Sequence, residues 1–199
     1  MKKTLCFLAV SATVAATSSA TLLYSDFAGP YAPVNWTQLV SNGGNGFVVT
    51  SGAPASISLT SSDDGSDQAS DVDFTITSLI SAVIQFNWSY STADFGNGGN
   101  GPSFDPFGWL LNGAYTQVTN DVGPLPQAGL VSFSVVPGDT FGFSQRSVDS
   151  GYGAATTTIS SFTVSDSVSA VPEPSGILGL GCVLAGGLLI RRRDRKVQS

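Results

Sequence analysis

Any chemistry in this chain has to come from aspartate, because the other reactive side chains are missing or confined to its ends. The 199 residues include no histidine, and the two cysteines, Cys6 and Cys182, lie near the termini. Residues 21–170 contain no lysine and no glutamate, but they hold twelve aspartates and one arginine, Arg146. This composition excludes Ser-His-Asp and Cys-His nucleophiles, HExxH zinc sites and lysine Schiff bases.

Aspartates alone are sufficient for two kinds of site. A pair of carboxyl groups can hydrolyse a glycoside, and carboxylate oxygens are the ligands that calcium prefers. No aspartate pair lies in an apolar segment that would raise the pKa of one member, so we predict that the chain is not an enzyme. An Asp-based glycosidase is the least favoured alternative. The acidic run Ser62–Asp67 lacks the spacing of an EF-hand and is typical of a solvated loop.

The charge of the central region restricts its partners. One arginine against twelve aspartates gives residues 21–170 a net charge of −11, compared with −6 for the whole chain. Such a surface repels nucleic acid and anionic lipid, and it suits cations or neutral polymers. We therefore predict no nucleic-acid partner, whereas extracellular polysaccharide is a possible partner.

The elements that must position these aspartates are predicted to be short strands. Ala82–Tyr90 and Asp71–Thr77 alternate apolar and polar side chains, and Gly, Pro, Asn or Asp clusters separate most of the other runs. The pattern predicts an all-β fold for residues 21–170, a jelly-roll-type antiparallel β-sandwich. The other predicted strands are Thr21–Phe27, Asn35–Val40, Phe47–Thr50, Ala55–Thr60, Phe107–Leu111, Gly129–Val136, Thr140–Ser144 and Thr156–Val164.

The first twenty residues are predicted to be a secretory signal helix. Lys2 and Lys3 precede the apolar run Leu5–Ala16, and small residues lead up to Ala20. This order of charged, apolar and small residues is typical of a cleavable signal peptide. We therefore expect the central region to cross the inner membrane.

The last 29 residues combine a proline-rich step, an uncharged segment and a basic cluster. Val171-Pro172-Glu173-Pro174 leads into the sixteen residues Ser175–Ile190, and Arg191, Arg192 and Arg193 follow. A helix of that length spans roughly 24 Å, which predicts a short transmembrane helix extended by snorkelling arginines. Basic residues at both ends favour the cytoplasmic side, so residues 21–170 are expected on the far side of the membrane.

This C-terminal arrangement resembles the PEP-CTERM sorting signal of bacteria. The resemblance implies that Val171, Pro172, Glu173 and Pro174, with Arg191, Arg192 and Arg193, are recognised by an exosortase-type processing enzyme. It also implies a setting of extracellular polysaccharide and biofilm. We therefore expect an exported, non-catalytic protein of the cell envelope, cell surface or extracellular matrix. Its role would be structural or adhesive, and the C-terminal segment would be a transient membrane anchor before processing.

A second, fainter resemblance concerns the central region. The segments Asp105–Gly113 and Phe141–Ala154 resemble the aspartate-containing strand and the late Ser-Asp loop of CUB domains. The resemblance implies calcium at one edge of the sandwich, with Asp105 and Asp149 as ligands and Asp94 at the preceding acidic position. The simpler alternative is that these aspartates only form turns. The alternative function is therefore a calcium-dependent or carbohydrate-binding module.

Aromatic side chains could supply a stacking platform for a sugar ring. Trp88 and Trp109 lie in apolar runs and are predicted to belong to the core. Trp36 and the loop residues Tyr31, Phe95 and Phe104 are the freer candidates.

Overall fold

Short strands separated by turns make up nearly all of the structure. A computed structural model describes residues 21–94 and 101–166. Within them, a four-residue helix α1 (Gly101–Phe104) and three single 3₁₀ turns join the strands. The strands are β1 (Leu22–Ser25), β2 (Thr37–Val40), β3 (Phe47–Val49), β4 (Ser56–Thr60), β5 (Ser70–Thr77), β6 (Ala82–Thr92), β7 (Phe107–Leu111), β8 (Ala114–Gln117), β9 (Gln127–Val135), β10 (Thr140–Ser147) and β11 (Ala155–Asp166).

The strands form two antiparallel sheets. The first has the order β3-β4-β11-β6-β9, with β1 also paired to β11, and the second has the order β2-β5-β10-β7-β8. The prediction of an all-β antiparallel sandwich is confirmed. The predicted signal helix and the predicted transmembrane helix lie outside the described residues. No helix among the residues that the structure describes is long and apolar enough to cross a membrane.

All ten predicted strands are present, and one further strand was missed. The missed strand is β8, which pairs with β7 through a turn at Asn112 and Gly113, both at positive φ. Such a turn suits a two-residue hairpin. The sequence of β8, AYTQ, has too few apolar residues to show alternation, because this edge strand is mostly exposed. Its pairing energy comes from β7 and not from a buried face of its own.

Alternating side chains of the two sheets meet in one core. Its largest fully buried members are aromatic and aliphatic side chains from both sheets. Apolar burial of this kind is the main stabilising contribution in a domain whose described residues include no cysteine. The fully buried members include Phe27, Leu59, Ile84, Phe86, Tyr90, Phe107, Phe141, Phe143, Ile159 and Phe162.

Candidate functional site

A groove opens at the end of the sandwich where β5 extends beyond its neighbour β2. The two strands pair only from Val72 to Thr75, and β5 continues through Ile76 and Thr77. The groove has a volume of about 710 Å³, which is the size of a small-molecule site. It is lined by Tyr24, Pro30, Tyr31, Asn35, Thr37, Thr75, Ile76, Thr77, Leu79, Ile80 and Thr140.

Two tyrosines form one wall of this groove. The rings of Tyr24 and Tyr31 meet edge to face, with their centroids 5.5 Å apart. Tyr31 is held in the core, where burial raises the pKa of its hydroxyl group, whereas Tyr24 is 37% exposed. Tyr24 is therefore the ring that a ligand can reach, and Tyr31 fixes its position from behind.

The polar side chains of the groove are amides and hydroxyls. Asn35 donates through Nδ2 to the carbonyl oxygen of Pro30 at 3.1 Å, which anchors its side chain at the rim. The hydroxyl groups of Thr77 and Thr140 lie 3.4 Å apart on adjacent strands. None of the described residues that line the groove carries a carboxylate or a guanidinium group. The groove can therefore hold a neutral ligand with hydroxyl groups, and its lining has no pair of carboxyl groups for glycoside hydrolysis.

The sequence-based choice of Trp36 and Tyr31 as free aromatic residues is wrong, because both side chains are buried. Trp36 is buried between Phe74 and Phe143, with ring centroids 5.1 and 5.4 Å away and nearly parallel planes. Its indole Nε1 donates to the carbonyl oxygen of Tyr31 at 3.0 Å. Trp36 therefore supports the groove from the core, because it holds the segment that carries Tyr31.

The other aromatic predictions have mixed outcomes. Trp88 is buried, as predicted, and Trp109 packs against the core with its ring stacked on Phe133 at 4.1 Å. Phe95 lies outside the described residues, and Phe104 ends α1 in a half-buried position. Tyr24 is not among the aromatic residues selected from the sequence, because no neighbouring residue in the sequence indicates that its ring packs against Tyr31.

The three aspartates predicted as calcium ligands lie at the opposite end of β10. Asp94 and Asp105 are almost completely buried, and Thr92 links them. The Thr92 hydroxyl accepts the backbone N–H of Asp94 at 2.9 Å and approaches Oδ2 of Asp105 at 3.5 Å. Asp149 is half-buried and caps its own turn by accepting the N–H of Gly151 at 3.2 Å.

The carboxyl group of Asp105 is strongly perturbed by this environment. Burial, with smaller contributions from the carboxylates of Asp94 and Asp149, raises the pKa of Asp105 to about 7. The hydroxyls of Ser147 and Ser61 lower this pKa. Each of these hydroxyls already accepts a backbone N–H, at 2.9 and 2.8 Å, so each has its proton left to donate.

The grouping of these carboxylates bears on the predicted calcium site. Among residues 21–94 and 101–166, no group of three or more aspartate, glutamate, histidine or cysteine side chains could hold a metal ion. Asp94, Asp105 and Asp149 are near enough to interact electrostatically. The assignment of calcium to them stays a prediction.

The arginine of the central region lies on the outer face of the second sheet. The Arg146 guanidinium lies over the ring of Tyr115, 3.6 Å from its centroid, and its Nε is 3.6 Å from Oδ1 of Asp71. Tyr115 in turn lies across Gly108, where an added Cβ would come within 2.6 Å of its ring. Burial raises the pKa of Asp71, and Arg146 lowers it. This cluster makes the outer face of the second sheet charged.

The residues of the sorting motif, Val171 to Pro174 and Arg191 to Arg193, lie outside the described residues. Their predicted role therefore depends on the sequence alone.

Comparisons with known proteins give structural similarity only. No protein-family model matches the chain, and no curated protein matches it. A family 35 carbohydrate-binding module from Clostridium thermocellum is similar at 8% identity and a TM-score of 0.33, covering 72% of this chain and 98% of the module. TmCBM61, solved with β-1,4-galactotriose, has 9% identity and a TM-score of 0.33, covering 74% and 98%.

A third similar structure is the N-terminal cellulose-binding domain of β-1,4-glucanase C from Cellulomonas fimi. Its identity is 15% and its TM-score 0.35, covering 69% of this chain and 92% of the domain. Similarity at this level does not assign a ligand to this chain.

Proposed function

We propose that this protein is a non-catalytic carbohydrate-binding β-sandwich that holds a neutral saccharide in the groove beside Tyr24. The observation that carries the proposal is the chemistry of the groove. In a central region with twelve aspartates, its lining combines an accessible tyrosine ring with threonine and asparagine side chains and no charged group. A pyranose offers the complementary surfaces, an apolar ring face for stacking and hydroxyls for hydrogen bonds.

The same lining argues for binding without hydrolysis. Glycoside cleavage needs two carboxyl groups on either side of the scissile bond. The buried carboxyl groups of Asp94 and Asp105 lie at the other end of β10 from Thr140, which lines the groove. A saccharide seated against Tyr24 is therefore out of reach of both carboxyl groups.

Calorimetric titration of the full-length chain tests this proposal. The chain would be held in a detergent without a sugar headgroup and titrated with neutral oligosaccharides of glucose, galactose, xylose and mannose. Replacing Tyr24 by alanine removes the accessible ring, so we expect the affinity to fall roughly tenfold, which corresponds to about 1.4 kcal/mol.

The matched control is Tyr152→Ala, since Tyr152 is 61% exposed and follows the Asp149 turn, away from the groove. Equal affinity of wild type, Tyr24→Ala and Tyr152→Ala would contradict the assignment of the groove. New reducing ends released from a polysaccharide would contradict a role without hydrolysis.

We also propose that the chain is exported and sorted by its C-terminal segment to the cell surface or extracellular matrix. Three features support this: the signal-like residues 1–20, the Val171–Pro174 step, and the arginines after an uncharged segment. An exosortase-type enzyme would act near the proline-rich step. The intact mass of the mature protein from its host tests both cleavages.

A further inference from the structure

The outer face of the first sheet carries ordered rows of hydroxyl side chains. The strand register places Ser58 of β4 opposite Thr158 of β11, and Thr158 opposite Ser89 of β6. The next row has Thr60 opposite Thr156, and Thr156 opposite Ser91. We call these six residues the polar array.

Strand geometry gives the polar array a regular spacing. Residues of one row lie about 4.8 Å apart from strand to strand, and rows on the same strand repeat about every 6.8 Å. Thr60 and Thr156 hold their hydroxyls 3.2 Å apart, so neighbouring side chains orient one another. A third row of the same kind follows at Ser160 and Asn87. None of the six side chains is buried, and Thr158, Ser89 and Ser91 are exposed.

Charge distinguishes this face from the outer face of the second sheet. Beside the polar array, the outward positions of β4, β6, β9 and β11 carry no charged side chain, although the region has twelve aspartates. Asp166 of β11 lies at the far end of the strand, opposite Ala82. The outer face of the second sheet, in contrast, carries Asp71, Asp73 and Arg146. A uniformly neutral face is electrostatically compatible with a neutral polymer and gives no attraction to a charged one.

Two features at the margin of the polar array add an exposed apolar ring and a surface depression. Phe47 of β3 lies opposite Thr60 in the same row, and its side chain is 48% exposed. A depression of about 120 Å³ lies next to the array, lined by Val49, Gly52, Ser56, Ile57, Ser58 and Thr158. An exposed ring next to hydroxyl rows offers both contacts that a saccharide surface uses.

We propose that the polar array is a second binding surface, and that its partner is the surface of an assembled neutral polysaccharide. Each hydroxyl of the array can donate and accept a hydrogen bond, as can each hydroxyl of the polymer. Single contacts of this kind are weak, so the array engages a polymer surface that presents many hydroxyls together. The proposal rests on the proposed binding of neutral saccharides, but it concerns another face and another physical form of the ligand.

Sedimentation of the full-length chain with particulate cellulose, chitin and curdlan tests the polar array. We expect wild type to sediment with at least one of these particles, equally at low salt and at 0.5 M salt, because the contacts are neutral. Thr158→Lys and Ser91→Lys each place a long charged side chain on the array, and we expect each to reduce the bound fraction at least tenfold.

Two further variants keep the result interpretable. Leu39→Lys adds the same charge at an exposed position of the second sheet and should sediment as wild type. The double variant Thr158→Ala with Ser91→Ala removes hydroxyls without adding charge, so it tests the array if a lysine variant unfolds. Melting temperatures would verify the fold of each variant.

The outcomes separate the array from the groove. Loss of sedimentation in the array variants, with oligosaccharide affinity unchanged, supports the array whatever the effect of Tyr24→Ala. Wild-type sedimentation of the array variants, or no sedimentation of wild type, overturns the array even if the groove binds oligosaccharides. If oligosaccharides do not bind but sedimentation still depends on the array residues, the proposed groove site is overturned and the array is not. If wild type does not sediment with the particles but shows thermal hysteresis that the array variants lose, the array binds ice and the proposal is overturned.

Discussion

Asp105 is a carboxylic acid enclosed by hydroxyl groups and by other carboxylates. Its side chain is fully buried next to Thr92, and Asp94 adds a second buried carboxyl group nearby. Burial disfavours the charged form, which is why the pKa of Asp105 is raised to about 7. The folded protein therefore binds a proton at Asp105 more tightly than the unfolded chain does.

We expect this proton to make the stability depend on pH. Because the folded pKa of Asp105 is raised from 3.8 to about 7, the free energy of unfolding should fall as the pH rises between these values. The loss could reach on the order of 4 kcal/mol. Asp105→Asn should abolish most of this dependence and be more stable than wild type at pH 8. Urea denaturation at pH 5 and pH 8, with a chelator present, measures it.

Asp139→Asn is the control for this prediction. Hydrogen bonds from Asn112 and from the N–H of Val136 lower the pKa of Asp139, so its titration falls below the window from pH 4 to 7. The variant should keep the pH dependence of wild type. An unchanged pH dependence in Asp105→Asn would show that other groups cause it.

Individual residue environments were the least predictable part of the sequence. Trp36 looked free because its neighbours in the chain are polar, but its stacking partners, Phe74 and Phe143, are 38 and 107 residues away. Asp94, Asp105 and Asp149 interact electrostatically in the fold, which their spacing in the sequence does not show, and calcium binding by them stays a prediction. Tyr24 acquires its role only when β1 pairs with β11, which brings it beside Tyr31.

The two sheets are joined by a buried polar contact in addition to apolar packing. Gln145 of β10 faces the interior, where its Oε1 accepts a hydrogen bond from the Thr157 hydroxyl of β11 at 2.7 Å. Its Nε2 donates to the backbone carbonyl of Asp105 at 2.9 Å. The sequence predicted that β10 ends at Ser144, since polar residues follow. The strand continues to Ser147 because Gln145 finds partners in the core.

We expect Gln145 and Thr157 to be energetically coupled. Gln145→Leu leaves the Thr157 hydroxyl and the Asp105 carbonyl without their partner, at a cost of roughly 2 to 4 kcal/mol. Thr157→Val removes one partner and should cost about 1 to 2 kcal/mol. The double variant should lose less than the sum, because the Thr157 hydroxyl is no longer there to be left unpaired. Urea denaturation of the four proteins measures the coupling, and additive losses would contradict it.

The elements themselves were largely predictable. The alternation of apolar and polar residues predicts β5 and β6, because their outward side chains are polar and their inward side chains are apolar. This is the physical condition for a half-buried strand. It failed at β8, which is held by its turn and its partner. Sheet order could not be read from the sequence, because pairs such as β4 with β11 join segments about 100 residues apart.

At the scale of the whole molecule, charge is divided between the central region and the ends. Seven of the eight basic residues lie in residues 1–20 and 171–199. Removal of both ends would therefore leave a much more acidic protein than the precursor. Its self-repulsion favours dispersal among neutral polymers over association with itself.

We expect the mature protein from its host to have lost both ends. Its intact mass should match a chain that begins after Ala20 and ends near Pro174, plus any group that the processing enzyme attaches. Expression in a host without an exosortase-type enzyme serves as the control and should leave the C-terminal segment in place. A mature mass that includes residues 175–199 would make that segment a permanent anchor and contradict processing.

Arg146 gives the described residues an unusual response to proteases. They contain no lysine and no second arginine, so a trypsin-like enzyme has one peptide bond to attack. That bond lies in β10, where Arg146 is opposite Asp71 and its N–H donates to the carbonyl of Pro106 at 2.9 Å. Cleavage therefore requires β10 to leave the sheet, which in a sandwich means opening much of the core. A trypsin-like protease would cut this domain only when the domain unfolds, so the rate of cleavage at Arg146 would report how often it unfolds.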